Sequence, residues 1–174
     1  MIRLALISVL VTTATAAADP CAEDHWRIAY SKASKPIAIG PFADGPTEKP
    51  IYGKLQFLDV NDDARNDLVF ESSCIRGIGE TTRLHRVFTS CGKHAADRTE
   101  EYALVFAEEV PCTTKLAIAR AKTSAELGGL TWHDLTITRV VPRKQCTQRT
   151  LEALRFDGAT YGPHGSTRVV KACN

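Results

Sequence analysis

Apolar and polar positions alternate along this chain mostly with a period of two. The runs at 25–30, 51–60, 67–71, 82–90, 101–107, 135–141, 150–156 and 167–171 are rich in β-branched, aromatic and aliphatic residues. Within them, same-side sets recur at every second residue, as in Leu84, Arg86 and Phe88, or Leu135, Ile137 and Arg139. That spacing suits a strand with one face buried. Turn formers separate the runs: Gly40-Pro41, Asp44-Gly45-Pro46, Cys91-Gly92, Gly128-Gly129, Asp157-Gly158 and Gly162-Pro163. The pattern predicts a mainly β domain of antiparallel meanders.

The stretch 114–127 reads two ways. Its Ala, Lys and Leu content, Thr114 in front and Gly128 behind predict a short helix with both caps. Leu116 and Ile118, however, also alternate, as in a short strand followed by a loop.

A weak internal repeat runs at an offset of 67 residues: Ile51 matches Ile118, Asp67-Leu68 matches Asp134-Leu135, and Leu84 matches Leu151. It predicts two blade-like units, about 46–109 and 113–174, each a meander of about four strands. Two blades cannot close a propeller, so the units are expected to pack together as a sandwich or compact cluster.

The first residues carry their own pattern. Arg3 precedes an apolar run from Leu4 to Val11, and small residues lead to Ala16-Ala17-Ala18 before Asp19. This reads as a signal peptide over 1–18, cleaved near Ala18/Asp19. The apolar run is shorter than the 20 or so residues a membrane-spanning helix needs, and no lipobox precedes Cys21. One domain over 19–174, periplasmic or secreted, is the expectation.

Six cysteines, Cys21, Cys74, Cys91, Cys112, Cys146 and Cys173, all follow that segment. In an exported chain an even number reads as a disulfide framework, and sequence does not choose its connectivity. Cys21 and Cys173 stand near the two ends and are placed to tie a terminus down. No Cys-x-x-Cys pair supports zinc instead.

One motif carries chemistry. In Leu58-Asp-Val-Asn-Asp-Asp-Ala-Arg-Asn-Asp-Leu68, side-chain oxygens fall at loop positions 1, 3, 5 and 9: Asp59, Asn61, Asp63 and Asp67. The Arg65 carbonyl takes position 7. This spacing can wrap a hard cation such as calcium. Strand-like flanks and Phe70 at position 12 make it a hairpin loop rather than an EF-hand.

At these residues the chain resembles the FG-GAP/VCBS family of extracellular repeats, whose loops read Asp-x-Asn-x-Asp-Gly-x-x-Asp-Leu. Trp132-His133-Asp134-Leu135-Thr136-Ile137, with Leu154-Arg155-Phe156-Asp157-Gly158-Ala159-Thr160-Tyr161, looks like a degenerate second unit. The resemblance implies a β-hairpin loop able to hold calcium, and recognition or structural work rather than catalysis. Ala64 stands where the family has Gly, at a left-handed position that costs a non-Gly residue about 1 kcal/mol. The second unit offers Glu126, Gly128 and Leu130 at positions 1, 3 and 5, which cannot coordinate, so it is expected to be metal-free. Bound calcium in the first loop would fall in the weak extracellular range, about 10⁻⁴–10⁻³ M.

Other residue types point away from catalysis. His25, His85, His94, His133 and His164 lack metal-ligand spacing, and His133 beside Asp134 reads as a strand-edge residue. There is no Gly-x-Ser-x-Gly elbow and no phosphate loop. Net charge is only +2, which gives no footing to nucleic acid. Charge is nevertheless uneven. Arg139, Arg143, Lys144, Arg149 and Arg155 face a single acid, Glu152, within 139–155, while 97–109 is acidic. That basic hairpin is the expected contact for an anionic partner.

The expectation is therefore a non-enzymatic exported binding protein, acting as a monomer on a protein or cell-envelope component, without nucleic acid or a membrane span. An inhibitor or immunity-type protein is one specific form. A calcium-stabilised adhesive module and an envelope hydrolase are the alternatives; the hydrolase requires His133 and Asp134 to meet in one cleft.

Overall fold

A computed structural model describes residues 19–22, 25–41, 49–76, 81–93, 99–143 and 146–171. The expected signal peptide, Lys144 and Cys173 lie outside them. The described residues form strands throughout: β1 His25–Tyr30, β2 Pro36–Ile39, β3 Ile51–Phe57, β4 Leu68–Ser72, β5 Ile75–Arg76, β6 Thr81–Lys93, β7 Glu100–Pro111, β8 Lys115–Leu127, β9 Leu130–Pro142, β10 Thr147–Phe156, β11 Tyr161–Pro163 and β12 Arg168–Lys171. The protein is mainly β and antiparallel, as its alternation predicts. Among the described residues, no helix is long and apolar enough to cross a membrane.

The first sheet runs β4-β3-β2-β1-β7-β6-β5, and an additional β4–β6 pairing closes the path from β4 to β6. Strands β1, β2, β3, β4, β6 and β7 thereby close into an antiparallel barrel, each paired on both sides over part of its length. The second sheet runs β11-β10-β9-β8, with β12 also on β10. Apart from Asp67, which precedes β4, residues matched at the 67-residue offset fall on strands with the same neighbour order, β3-β4-β6 and β8-β9-β10. The two sets then diverge, because β1 and β2 bridge β3 to β7 and convert the first into a barrel.

Period-two side chains build two cores. Inside the barrel, Trp26, Ala38, Leu68, Phe70, Phe88 and Tyr102 pack together. The intervening residues Val69, Val87 and Val105 point outward and meet Leu116, Ile118, Trp132, Leu135, Ile137, Leu154, Phe156 and Tyr161 of the second sheet. Strand β4 therefore buries both faces, which is why Leu68-Val69-Phe70 is apolar without interruption. Trp132 stacks on Phe156 with centroids 3.7 Å apart. Each fully buried large side chain contributes about 1.5–3 kcal/mol.

Of the two readings of 114–127 the short helix gives way to a strand, β8, which runs to Leu127 in place of the short strand and loop. Leu116 and Ile118 face the seam, and β8 pairs with β9 from Lys115↔Val140 to Leu127↔Leu130. Gly128 and Gly129, at φ 61° and 79°, form the two-residue turn of that hairpin, the role that an apparent C-cap glycine conceals. Burial and ladder pairing override the Ala and Lys propensity.

Cys21 is bonded to Cys91 and Cys74 to Cys112, and Cys146 is also disulfide-bonded. The first bridge ties the described start of the chain to β6, as expected of Cys21. Such bridges belong to an oxidising, exported environment.

Candidate functional site: the barrel mouth

Loop 58–67 joins β3 to β4 at one end of the barrel, and its polar side chains fold it through Asx turns. Asp59 Oδ1 accepts the Asp62 N–H at 2.8 Å and the Asn61 N–H at 3.3 Å. Asp63 Oδ1 accepts the Arg65 N–H at 2.8 Å. Asn61 Nδ2 donates to Asp63 Oδ2 and to Thr89 Oγ1, each at 3.3 Å. Asp62 and Ala64 adopt φ 53° and 62°, so the alanine occupies the left-handed conformation read from sequence.

Asp67 closes the loop from below. It is fully buried, and its two oxygens accept the Val60 and Ser90 N–H groups, each at 2.8 Å. Burial outweighs these bonds and pushes its carboxyl up to about 6. Of the calcium ligands read from sequence, Asp67 is thus turned onto backbone donors. The Asp59, Asn61 and Asp63 oxygens also cap N–H groups of their own loop. Among the described residues, no three His, Cys, Asp or Glu side chains cluster as a metal site. As arranged, the donor set fits a self-capped turn better than a cation cage.

The second sheet clamps this loop. His133 Nε2 lies 2.7 Å from Asp62 Oδ2, and the Arg120 guanidinium lies 3.0 Å from Asp62 Oδ1. The His133 hydrogen bond, with help from the Arg120 guanidinium, holds the Asp62 carboxyl below its usual range. The His133 N–H donates to the Val60 carbonyl, and Tyr161 Oη donates to the His133 carbonyl. His133 and its neighbour Asp134 diverge. Asp134 takes both bonds of a fork from Arg155, each 2.9 Å, and this bond holds its carboxyl down.

The basic hairpin is likewise engaged in part. Arg139 donates to both oxygens of Glu108 on β7, at 3.0 and 2.7 Å, and also to Glu152. It therefore bridges barrel and second sheet. Arg155 is held by Asp134. Arg143 and Arg149 are exposed, with Arg143 reaching Gln148 at 3.4 Å.

A cleft opens beside the loop at the barrel mouth. It holds about 410 Å³ and is lined by Phe57, Arg65, Asn66, Ser90, Lys93 and Tyr102, among others. The strand registers bring Tyr30, Phe57, Lys93 and Glu100 to this end. Phe57 is 62% exposed although it continues the Ile51, Gly53, Leu55 alternation. Tyr102 forms the floor, and burial, with Glu100, Asp67 and Tyr30, pushes its hydroxyl up to about 12. On the other side of Arg65 a second cleft of about 260 Å³ reaches Asn61, Asp63, Thr89 and Trp132. Sequence reasoning found Arg65 only for its carbonyl and missed Phe57, Lys93 and Tyr102. Barrel closure gathers them, and no local pattern signals it.

No protein-family model, curated protein or solved structure matches this chain.

Proposed function

We propose that this chain is an exported, non-enzymatic binding protein of the periplasm or extracellular space that takes a protein or cell-envelope component at its barrel mouth. The observation that carries this reading is the cleft of about 410 Å³. Its size falls within the range of small-ligand sites, and barrel mouths are preferred locations for them. Its walls come from loop 58–67, β6 and β7, held by the Asp67 bonds and the Cys21–Cys91 bridge. Walls fixed before binding reduce the entropy lost on association. The FG-GAP/VCBS resemblance adds to this, since its motif forms one wall. The hydrolase alternative needs His133 and Asp134 together, and they are committed to Asp62 and Arg155. An inhibitor or immunity-type role is the narrower form, favoured by size, export and crosslinking.

The test is binding of the labelled, oxidised chain to isolated cell envelopes. Phe57→Ser and Lys93→Glu are expected to lose binding, whereas Arg143→Glu and Arg149→Glu retain it. Loss confined to the hairpin variants would move the contact surface to β9–β10 and refute the mouth.

A further inference from the structure

Building on the barrel-mouth reading, we infer that the cleft accepts an acidic sugar, a carboxylate-bearing pyranose either free or within an envelope glycan. Charge at the mouth carries the first part of the case. Arg83, Arg120, Arg139 and Arg155 are each paired with a carboxylate of this chain. Arg65 and Lys93, which line the cleft, have no such pair among the described residues. The Arg65 guanidinium lies along the backbone of Gly92, Nη1 being 3.5 Å from where a Cβ would sit. It lines the cleft with its donor fork unused among the described residues, and a planar fork matches a carboxylate through two parallel bonds. Lys93 adds a second positive charge, and Glu100, its ladder partner, is the one carboxylate in the lining.

The remaining lining selects the body of the ligand. Phe57 presents an exposed ring at the rim, a flat apolar platform for the C–H face of a pyranose. Asn66 and Ser90 supply polar groups for hydroxyls. An extended acidic peptide is the competing ligand, but peptides commonly bind by adding to a free strand edge. Each barrel strand is paired on both sides over part of its length, so no strand offers a whole open edge for a peptide to extend. A sugar read by side chains and stacking needs no edge.

The experiment is calorimetric and NMR titration of the oxidised chain with free glucuronate, an oligouronate, a neutral oligosaccharide of equal length and a capped acidic peptide. Saturable binding of the uronate probes, with amide shifts at 57, 65 and 93, is expected. Free glucuronate matching the oligouronate identifies a free sugar, and binding of the oligouronate alone identifies a glycan; both support the inference. Arg65→Gln is expected to weaken binding about tenfold or more through loss of a charge-assisted pair. Glu100→Gln should strengthen it, and Arg149→Gln should leave it unchanged. Equal binding of the neutral sugar overturns the acidic assignment while leaving the mouth as the site. Binding of the peptide alone, or of no probe, overturns the sugar. Shifts centred on 143 and 149 overturn both the sugar and the mouth reading.

Discussion

Asp67 accepts the backbone N–H of Ser90 at 2.8 Å across 23 residues of chain, and this bond fastens loop 58–67 to β6. With its carboxyl pushed up to about 6 by burial, the folded state holds a proton between about pH 4 and 6 that the unfolded chain, with an ordinary value of 3.8, releases. A raised acid therefore makes stability fall as pH rises through that window and level off above it. Asp67→Asn should flatten this dependence by about 1–3 kcal/mol, read from urea midpoints of both proteins at pH 4 and pH 7. Parallel pH profiles would show that Asp67 is not the group responsible.

Calcium is expected to leave the melting temperature unchanged at millimolar concentration, since Asp67 faces two buried N–H groups rather than the loop centre. Asp63→Ala should lower it with or without calcium, because the Arg65 N–H loses its cap; such caps are worth about 1 kcal/mol. A melt with calcium and with chelator checks both. A calcium-dependent rise that disappears in Asp63→Ala would restore the metal site and favour the calcium-stabilised module.

Arg139 is expected to act on stability rather than on ligand binding. It bridges Glu108 and Glu152 across the seam between barrel and second sheet. Arg139→Met leaves those two carboxylates facing each other in a half-buried site, a loss of about 2–4 kcal/mol at pH 7. Adding Glu108→Gln and Glu152→Gln should recover much of it, whereas Arg149→Gln should be neutral. Denaturant unfolding of the four proteins decides the matter. A neutral Arg139→Met would return that side chain to the exposed basic surface.

Alternation made most strands legible from sequence, because Leu68, Phe70, Phe88, Leu135 and Ile137 each carry the face they bury. Strand β2 was not legible. Pro36–Ile39 is only four residues long and sits among turn formers, yet it completes the barrel. Closure itself depends on β4–β6 pairing at long range, which no short window encodes. The Asp59–Asp67 spacing marks a loop built on side-chain oxygens, but that spacing is shared by metal loops and Asx turns, and the direction of the Asp67 carboxylate is not written in it. In sequence Arg139 and Arg155 read as part of a basic contact hairpin, because their partners Glu108 and Asp134 lie 31 and 21 residues away.

Two small residues make opposite predictions. Gly53 lies on β3 opposite Ser72, and a Cβ there would come 2.2 Å from the Glu71 carbonyl oxygen and 2.6 Å from Phe70 Cζ. The first contact is with backbone, so the β3–β4 ladder itself must shift. Gly53→Ala is expected to cost about 2–3 kcal/mol. Ala64 is the converse, a Cβ-bearing residue at φ 62°, where glycine relieves left-handed strain of about 1–2 kcal/mol. Part of that gain is offset by the greater freedom of glycine in the unfolded chain, so Ala64→Gly should stabilise by about 0.5–1 kcal/mol. Urea unfolding of the two variants gives both signs. A stable Gly53→Ala would mean that β3 and β4 lie further apart than described, and a destabilised Ala64→Gly would mean that the loop does not use a left-handed residue there.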